Sequence, residues 1–152
     1  MRPVFLSTTI LLAATLAAPS APAASPSVTY IPAAQVKTAF AKGMPLVEVA
    51  SYKVHASRRE APGQAEIHVK DTDIVYVLEG RATLVTGGTA TNVETTAPDE
   101  IRGTAIDGGE TRRIAPGDVV IVPNGTPHWF KEVQGPLLYY VVKVASSEGG
   151  SK

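Results

Sequence analysis

Glu66 and His68 stand two residues apart in a stretch, Glu66 to Lys70, that alternates polar with apolar. A strand repeats its facing every second residue, so both side chains point the same way there, with Ile67 and Val69 on the opposite face. Asp73 follows after a short connection, just ahead of the apolar run Ile74 to Leu78, and His128 enters a later strand behind Gly125-Thr126-Pro127. Strands far apart in sequence can converge inside a barrel, where inward residues alternate with outward ones. Two imidazoles and two carboxylates gathered in that way make a nitrogen/oxygen site for a divalent metal. The carboxylates cancel the charge of the ion, so burying the set is tolerable only with metal or protons present.

Each residue also has a plainer reading. A lone histidine is more often a satisfied packing or surface residue than a ligand; His55 is read so, with a place at the barrel mouth as the alternative. Asp71 and Asp73 can each cap a turn, and Asp118 beside Gly117 reads as turn chemistry. Lys70 shares the face of Glu66 and His68, but a lysine at a strand end usually carries its charge out to water. Tyr52, Tyr76, Trp129, Phe130, Tyr139 and Tyr140 read mostly as core or edge packing, and Arg58-Arg59 as part of a solvated loop. Asn124-Gly125-Thr126 has the form of a glycosylation acceptor, yet it reads as a tight turn.

The elements that must position these groups are short. Ile31 to Lys42, with Ala34, Val36, Ala39 and Phe40, allows one helix ending near Gly43. Strands are expected over Leu46 to Val54, Glu66 to Lys70, Ile74 to Leu78 and Ala82 to Val85. Further strands are expected over Val119 to Val122, Trp129 to Val133 and Leu137 to Val144. Thr89 to Asp99 is polar and Thr-rich and reads as a loop. Asp107-Gly108-Gly109 between Glu100–Ile106 and Thr111–Ile114 signals a hairpin. Turns roughly every ten residues without a βαβ rhythm argue for an all-β sandwich or barrel.

The whole chain is 152 residues, with 14 basic and 14 acidic residues, no cysteine, 13 glycines and 12 prolines. That length suits one domain with its own core. No disulfide or thiol chemistry is available, and no block of like charge suggests a nucleic-acid or polybasic membrane surface. Arg2, the apolar run Val4 to Ala18 and Ala21-Pro22-Ala23 have the form of a cleaved signal peptide. The chain is therefore expected to be exported, secreted or periplasmic, with no membrane association after cleavage. The expected divisions are residues 1–23 as signal peptide, 24–44 as linker or N-terminal arm, 45–145 as the barrel, and 146–152 as a disordered tail.

Two blocks of residues resemble the motifs of the cupin superfamily. The first motif has the form G(X)5HXH(X)3–4E(X)6G; here Glu66, His68, Asp73 and Gly80 stand at its spacing. The second has the form G(X)5PXG(X)2H(X)3N and is met by Gly117, Pro123, Gly125 and His128, with Glu132 in the last place. Glu66 replaces the first histidine, Asp73 the glutamate, and the opening glycine is not at its place. The resemblance, covering about Leu46 to Val144, implies an all-β, jelly-roll-like antiparallel barrel with a short N-terminal helix possible. It implies metal ligation by Glu66, His68, Asp73 and His128, with Glu66 either a ligand or a base, and Glu66 or Glu132 as the general base. The ion implied is manganese, iron, nickel or zinc. The reactions implied are those of oxygenases, isomerases or epimerases, and lyases on a small molecule. A metal-free small-molecule-binding module is the alternative, and a homodimer is the expected assembly.

Overall fold

The computed structural model describes residues 27–146. The expected signal peptide, and the expected tail beyond Ser146, lie outside the described residues. The expected helix is α1, Ala33–Lys42, and it ends at Gly43. The strands that follow are β1 (Met44–Glu48), β2 (Tyr52–Arg59), β3 (Ala65–His68), β4 (Asp71–Thr86), β5 (Thr89–Thr91), β6 (Glu94–Ala97), β7 (Glu100–Gly103), β8 (Ala105–Asp107), β9 (Glu110–Ile114), β10 (Val119–Val122) and β11 (His128–Ala145). Nine of them form one curled antiparallel sheet, and β5 with β8 forms a second of two strands. This is the all-β half-barrel that the turn spacing and the motifs imply.

Two long strands frame the cavity. β4 and β11 pair along most of their length, and each changes phase midway. In β4 the buried positions are Asp73, Val75 and Val77, then Ala82 and Leu84, with Val85 buried in a second cluster; in β11 they are His128 and Phe130, then Leu137, Tyr139 and Val141. Irregular pairing around Gln134–Leu138 opposite Glu79–Arg81 absorbs the slip. Gly80 permits it: its φ is +77°, and a Cβ there would fall 2.4 Å from the Pro136 carbonyl oxygen. The interrupted runs Ile74–Leu78 and Ala82–Val85 are thus one bent strand, as are Trp129–Val133 and Leu137–Val144. Val75, Val77, Leu84, Phe130, Leu137 and Tyr139 are buried together in the main core. The helix lies on the other side of the sheet, where Phe40 meets the Tyr140 ring edge-on at 4.9 Å.

Three expectations are corrected. Leu46 to Val54 is not one strand but the end of β1, a turn over residues 49–51 and the start of β2, which pair as a hairpin. Thr89 to Asp99 carries β5 and β6, pairing with β8 and β7. The hairpin across Asp107-Gly108-Gly109 does not form: β9 pairs with β4, and β8 with β5. Gly109 serves a close crossing of two chain segments instead: a Cβ on it would lie 2.8 Å from the Thr86 carbonyl oxygen, and one on Gly88 2.4 Å from the Asp107 carbonyl oxygen.

Candidate metal centre

Strand register brings the site together. Glu66 on β3 faces His128 on β11, and on its other side faces Arg102 on β7. His68 faces Glu100 on β7. Asp73 on β4 faces Lys143 on β11 and Val122 on β10. Each pair of opposite charge therefore sits directly across a ladder, where cross-strand side chains are close enough to interact. The turn before His128 is tied to the same place: the Gly125 amide donates to the His68 carbonyl at 2.8 Å, and the Asn124 side chain donates to the Val69 carbonyl. Asp118 accepts from the Ala115 amide, the turn role read for it.

Glu66, His68 and His128 each offer a ligand atom, and these atoms all lie within 4.8 Å of one another. Oε2 of Glu66 stands 3.7 Å from His68 Nε2 and 3.8 Å from His128 Nε2. Asp73 Oδ2 stands 3.3 Å and 3.9 Å from the same two nitrogens. Ligands about 2.1 Å from a shared ion at a tetrahedral angle are about 3.4 Å apart, so these separations suit a dication. The ring orientations suit it too. His128 Nδ1 lies 3.2 Å from the Thr126 carbonyl, which leaves Nε2 facing the cluster. His68 Nδ1 lies 2.8 Å from Glu100 Oε1, off the line of a hydrogen bond, with Nε2 again turned inward. A carboxylate or carbonyl behind a histidine is how ligating rings are oriented.

The rest of the lining is cationic. Glu66 Oε1 is held by Arg59 at 2.8 Å and Arg102 at 2.5 Å. Arg59 also donates to the Tyr139 hydroxyl at 3.0 Å and lies over the Phe130 ring. Lys143 Nζ lies 2.8 and 2.9 Å from the two Asp73 oxygens and 2.7 Å from His68 Nε2. At that last distance one nitrogen must offer a lone pair. Lysine ordinarily holds its proton far more firmly than histidine, so the lone pair is that of His68 Nε2.

Burial works against ionisation of both acids, yet partners outweigh it. Arg59 and Arg102 hold the Glu66 carboxyl below the usual carboxylate range. The neighbouring His68 ring and the charge of Lys143 do the same for Asp73. Burial pushes His128 below the ordinary histidine value, favouring the neutral ring that a metal requires. His68 is also desolvated, but Asp73 and Glu100 draw it the other way, above that value.

The structure thus places Glu66, Asp73 and His128 around one cavity of about 190 Å³, with His68 buried beside Glu66 and Asp73. Asp73 is buried and paired with Lys143, not capping a turn. Glu132 lies apart from them, exposed and accepting a hydrogen bond from Thr83. His55 is at the cavity wall and bonded to Glu48. Arg59 is corrected from loop to site: it ends β2 and points inward. Lys143, Arg102 and Glu100 were not singled out by spacing. Period two along Leu137, Tyr139, Val141 and Lys143 is the signal that places the lysine inward.

The family model described as "Cupin" matches residues 23–149. Among solved structures, a Bacillus halodurans protein superposes with a TM-score of 0.55 at 17% identity, covering 85% of this chain and 88% of its own. Hydroquinone 1,2-dioxygenase from Sphingomonas sp. TTNP3, solved with 4-hydroxybenzoate bound, gives a TM-score of 0.51 at 12% identity, covering 70% of this chain and 66% of that one. A cupin 2 conserved barrel domain protein from Salinispora arenicola gives 0.46 at 20% identity, covering 68% and 75%. At these identities the likeness is one of fold. No match was found among curated proteins.

Proposed function

This chain belongs to the cupin family, and on that premise we propose that it is a divalent-metal-dependent enzyme acting on a small anionic molecule. The observation that carries the reading is the convergence of Glu66, His68 and His128 ligand atoms within 4.8 Å, with Glu66 and His128 on the cavity wall. Glu66, His68 and His128 would hold the ion, with Asp73 as a fourth donor; a bound dication supplies Lewis acidity toward a substrate oxygen. Arg59 and Arg102 keep Glu66 ionised and fix its second oxygen toward the histidines. A cavity of about 190 Å³ suits a small molecule. Its lining carries three cations, Arg59, Arg102 and Lys143, against two carboxylates, Glu66 and Asp73. A dication increases that positive excess, and an anionic substrate offsets it. The reaction belongs with the oxygenases, isomerases or lyases that the fold hosts; fold alone does not choose among them.

Elemental analysis of untagged protein tests the reading. Near-stoichiometric transition metal in wild type, lost in the His68→Ala/His128→Ala double variant, is expected. Equal metal content in the two would overturn it. The contact of Lys143 with Asp73 and His68 favours the second reading, a metal-free module that binds a small anion. Export is proposed on the N-terminal residues; intact mass of exported protein should begin near Ala24, and retention of Met1 refutes cleavage.

A further inference from the structure

Lys143 is the part of the cavity that neither the ligand set nor the arginine pair explains. It continues the inward face of β11 after Leu137, Tyr139 and Val141, and its register partner on β4 is Asp73. Its side chain is 13% exposed. Nζ contacts both Asp73 oxygens and His68 Nε2. Two of the four donors that suit a dication are thus already engaged by a cation of the chain itself. A ring nitrogen has one lone pair, which cannot serve an ammonium and an ion at once. Two cations a few ångströms apart also repel, the more so away from bulk water.

We propose that Lys143 is a tethered competitor for the metal: it holds Asp73 and the Nε2 side of His68, and a dication binds there only by displacing it. This rests on the metal reading given above. The residue type suits the task. Lysine carries a compact charge on a flexible four-carbon stem, unlike the planar fork of arginine. Lys143 also borders the cavity, which gives the stem a place to swing. With the ammonium in place each inward acid has a cation, Asp73 from Lys143 and Glu66 from Arg59 and Arg102. The acids are then compensated before any ion arrives, and the barrel can fold ahead of loading.

The test uses untagged, chelator-treated full-length protein titrated calorimetrically with Zn²⁺ and, separately, with Mn²⁺. Lys143→Met should bind at least tenfold more tightly than wild type. The chelator-treated variant should also unfold at a lower temperature than chelator-treated wild type, because Asp73 has lost its cation. Lys143→Gln keeps a donor for Asp73 without the charge, should shift affinity the same way, and stands in if Lys143→Met does not fold. Adding Asp73→Asn to the lysine variant should cancel the gain. Normal binding by wild type, with equal or weaker binding by both lysine variants, would overturn the competition and leave the metal reading intact. Absence of binding in wild type and in both variants would overturn both.

Discussion

Glu66 shows how a single side chain is tuned here. In place of an imidazole it offers one oxygen to two arginines and the other to two histidine nitrogens. Its folded carboxyl, like that of Asp73, ionises more easily than in the unfolded chain. Such groups contribute stability that is complete above about pH 4.5 and lost as pH falls through the lowered folded values. In chelator-treated protein the contribution of these two acids should therefore hold from neutral pH to about 4.5 and fall away below; above that window the histidines act with opposite signs as pH falls, His128 losing stability because its value is lowered and His68 gaining it because its value is raised. Arg59→Met removes one of the two cations from Glu66, and with it a charged hydrogen bond worth about 2 kcal/mol at pH 7. Denaturant unfolding at pH 7 and pH 4 should show the variant weaker at pH 7 and less sensitive to acid. If it is as acid-sensitive as wild type, Glu66 ionisation is not the source of the loss. At this scale the sequence is readable where spacing places a residue: Glu66, His68, Asp73 and His128 fall at motif spacing, and period two along β11 turns Lys143 inward. Arg59 and Arg102 reach the cavity, and Glu100 reaches His68, through pairing between strands, and no spacing within the chain encodes that register.

Element boundaries were legible where a turn stops a strand and misread where a glycine bends one. Gly80 looked like a terminator, yet β4 runs through it because its positive φ lets the buried face change phase against β11. The change keeps both halves of each strand facing the core: Asp73, Val75 and Val77 before it, Ala82 and Leu84 after it. Asp107-Gly108-Gly109 misled in the opposite sense. It carries hairpin chemistry, but Gly109 is needed where the chain passes Thr86 and Gly87 at backbone contact. Gly80→Ala tests the first point. An added methyl meets a backbone carbonyl at 2.4 Å and a φ that L-residues disfavour; together these should cost about 1–3 kcal/mol. The measurement is urea unfolding, and a loss under about 0.5 kcal/mol, the usual scatter of surface substitutions, would show that the bend does not depend on glycine. Gly87→Ala is a useful contrast: its φ is also positive, but its Cβ would meet nothing within 4 Å.

For the whole molecule, assembly and loading are separate questions. Among the described residues β1 pairs only with β2 and leaves its outer edge open, with Met44, Val49 and Tyr52 exposed along that hairpin. Open edges are commonly covered by a partner, so light scattering should return a homodimer, and a monomer mass at micromolar concentration would refute it. Loading acts on stability by mass action. An ion that binds the folded chain alone, at one hundred times its dissociation constant, adds about 2.7 kcal/mol. For a domain of this size that moves Tm upward by about 10 °C. His128 is buried, its Nε2 faces both Glu66 and Asp73, and burial keeps it neutral. His128→Ala removes one ring nitrogen from the set and leaves two carboxylates converging with one imidazole. Its chelator-treated Tm should fall through lost packing, and the rise on adding Zn²⁺ should vanish. His55→Ala should keep the full rise, because His55 bonds to Glu48 at the wall and is not among the three clustered donors. Should His128→Ala respond to the ion as wild type does, the stabilising ion binds elsewhere on the surface and the cluster is not its site.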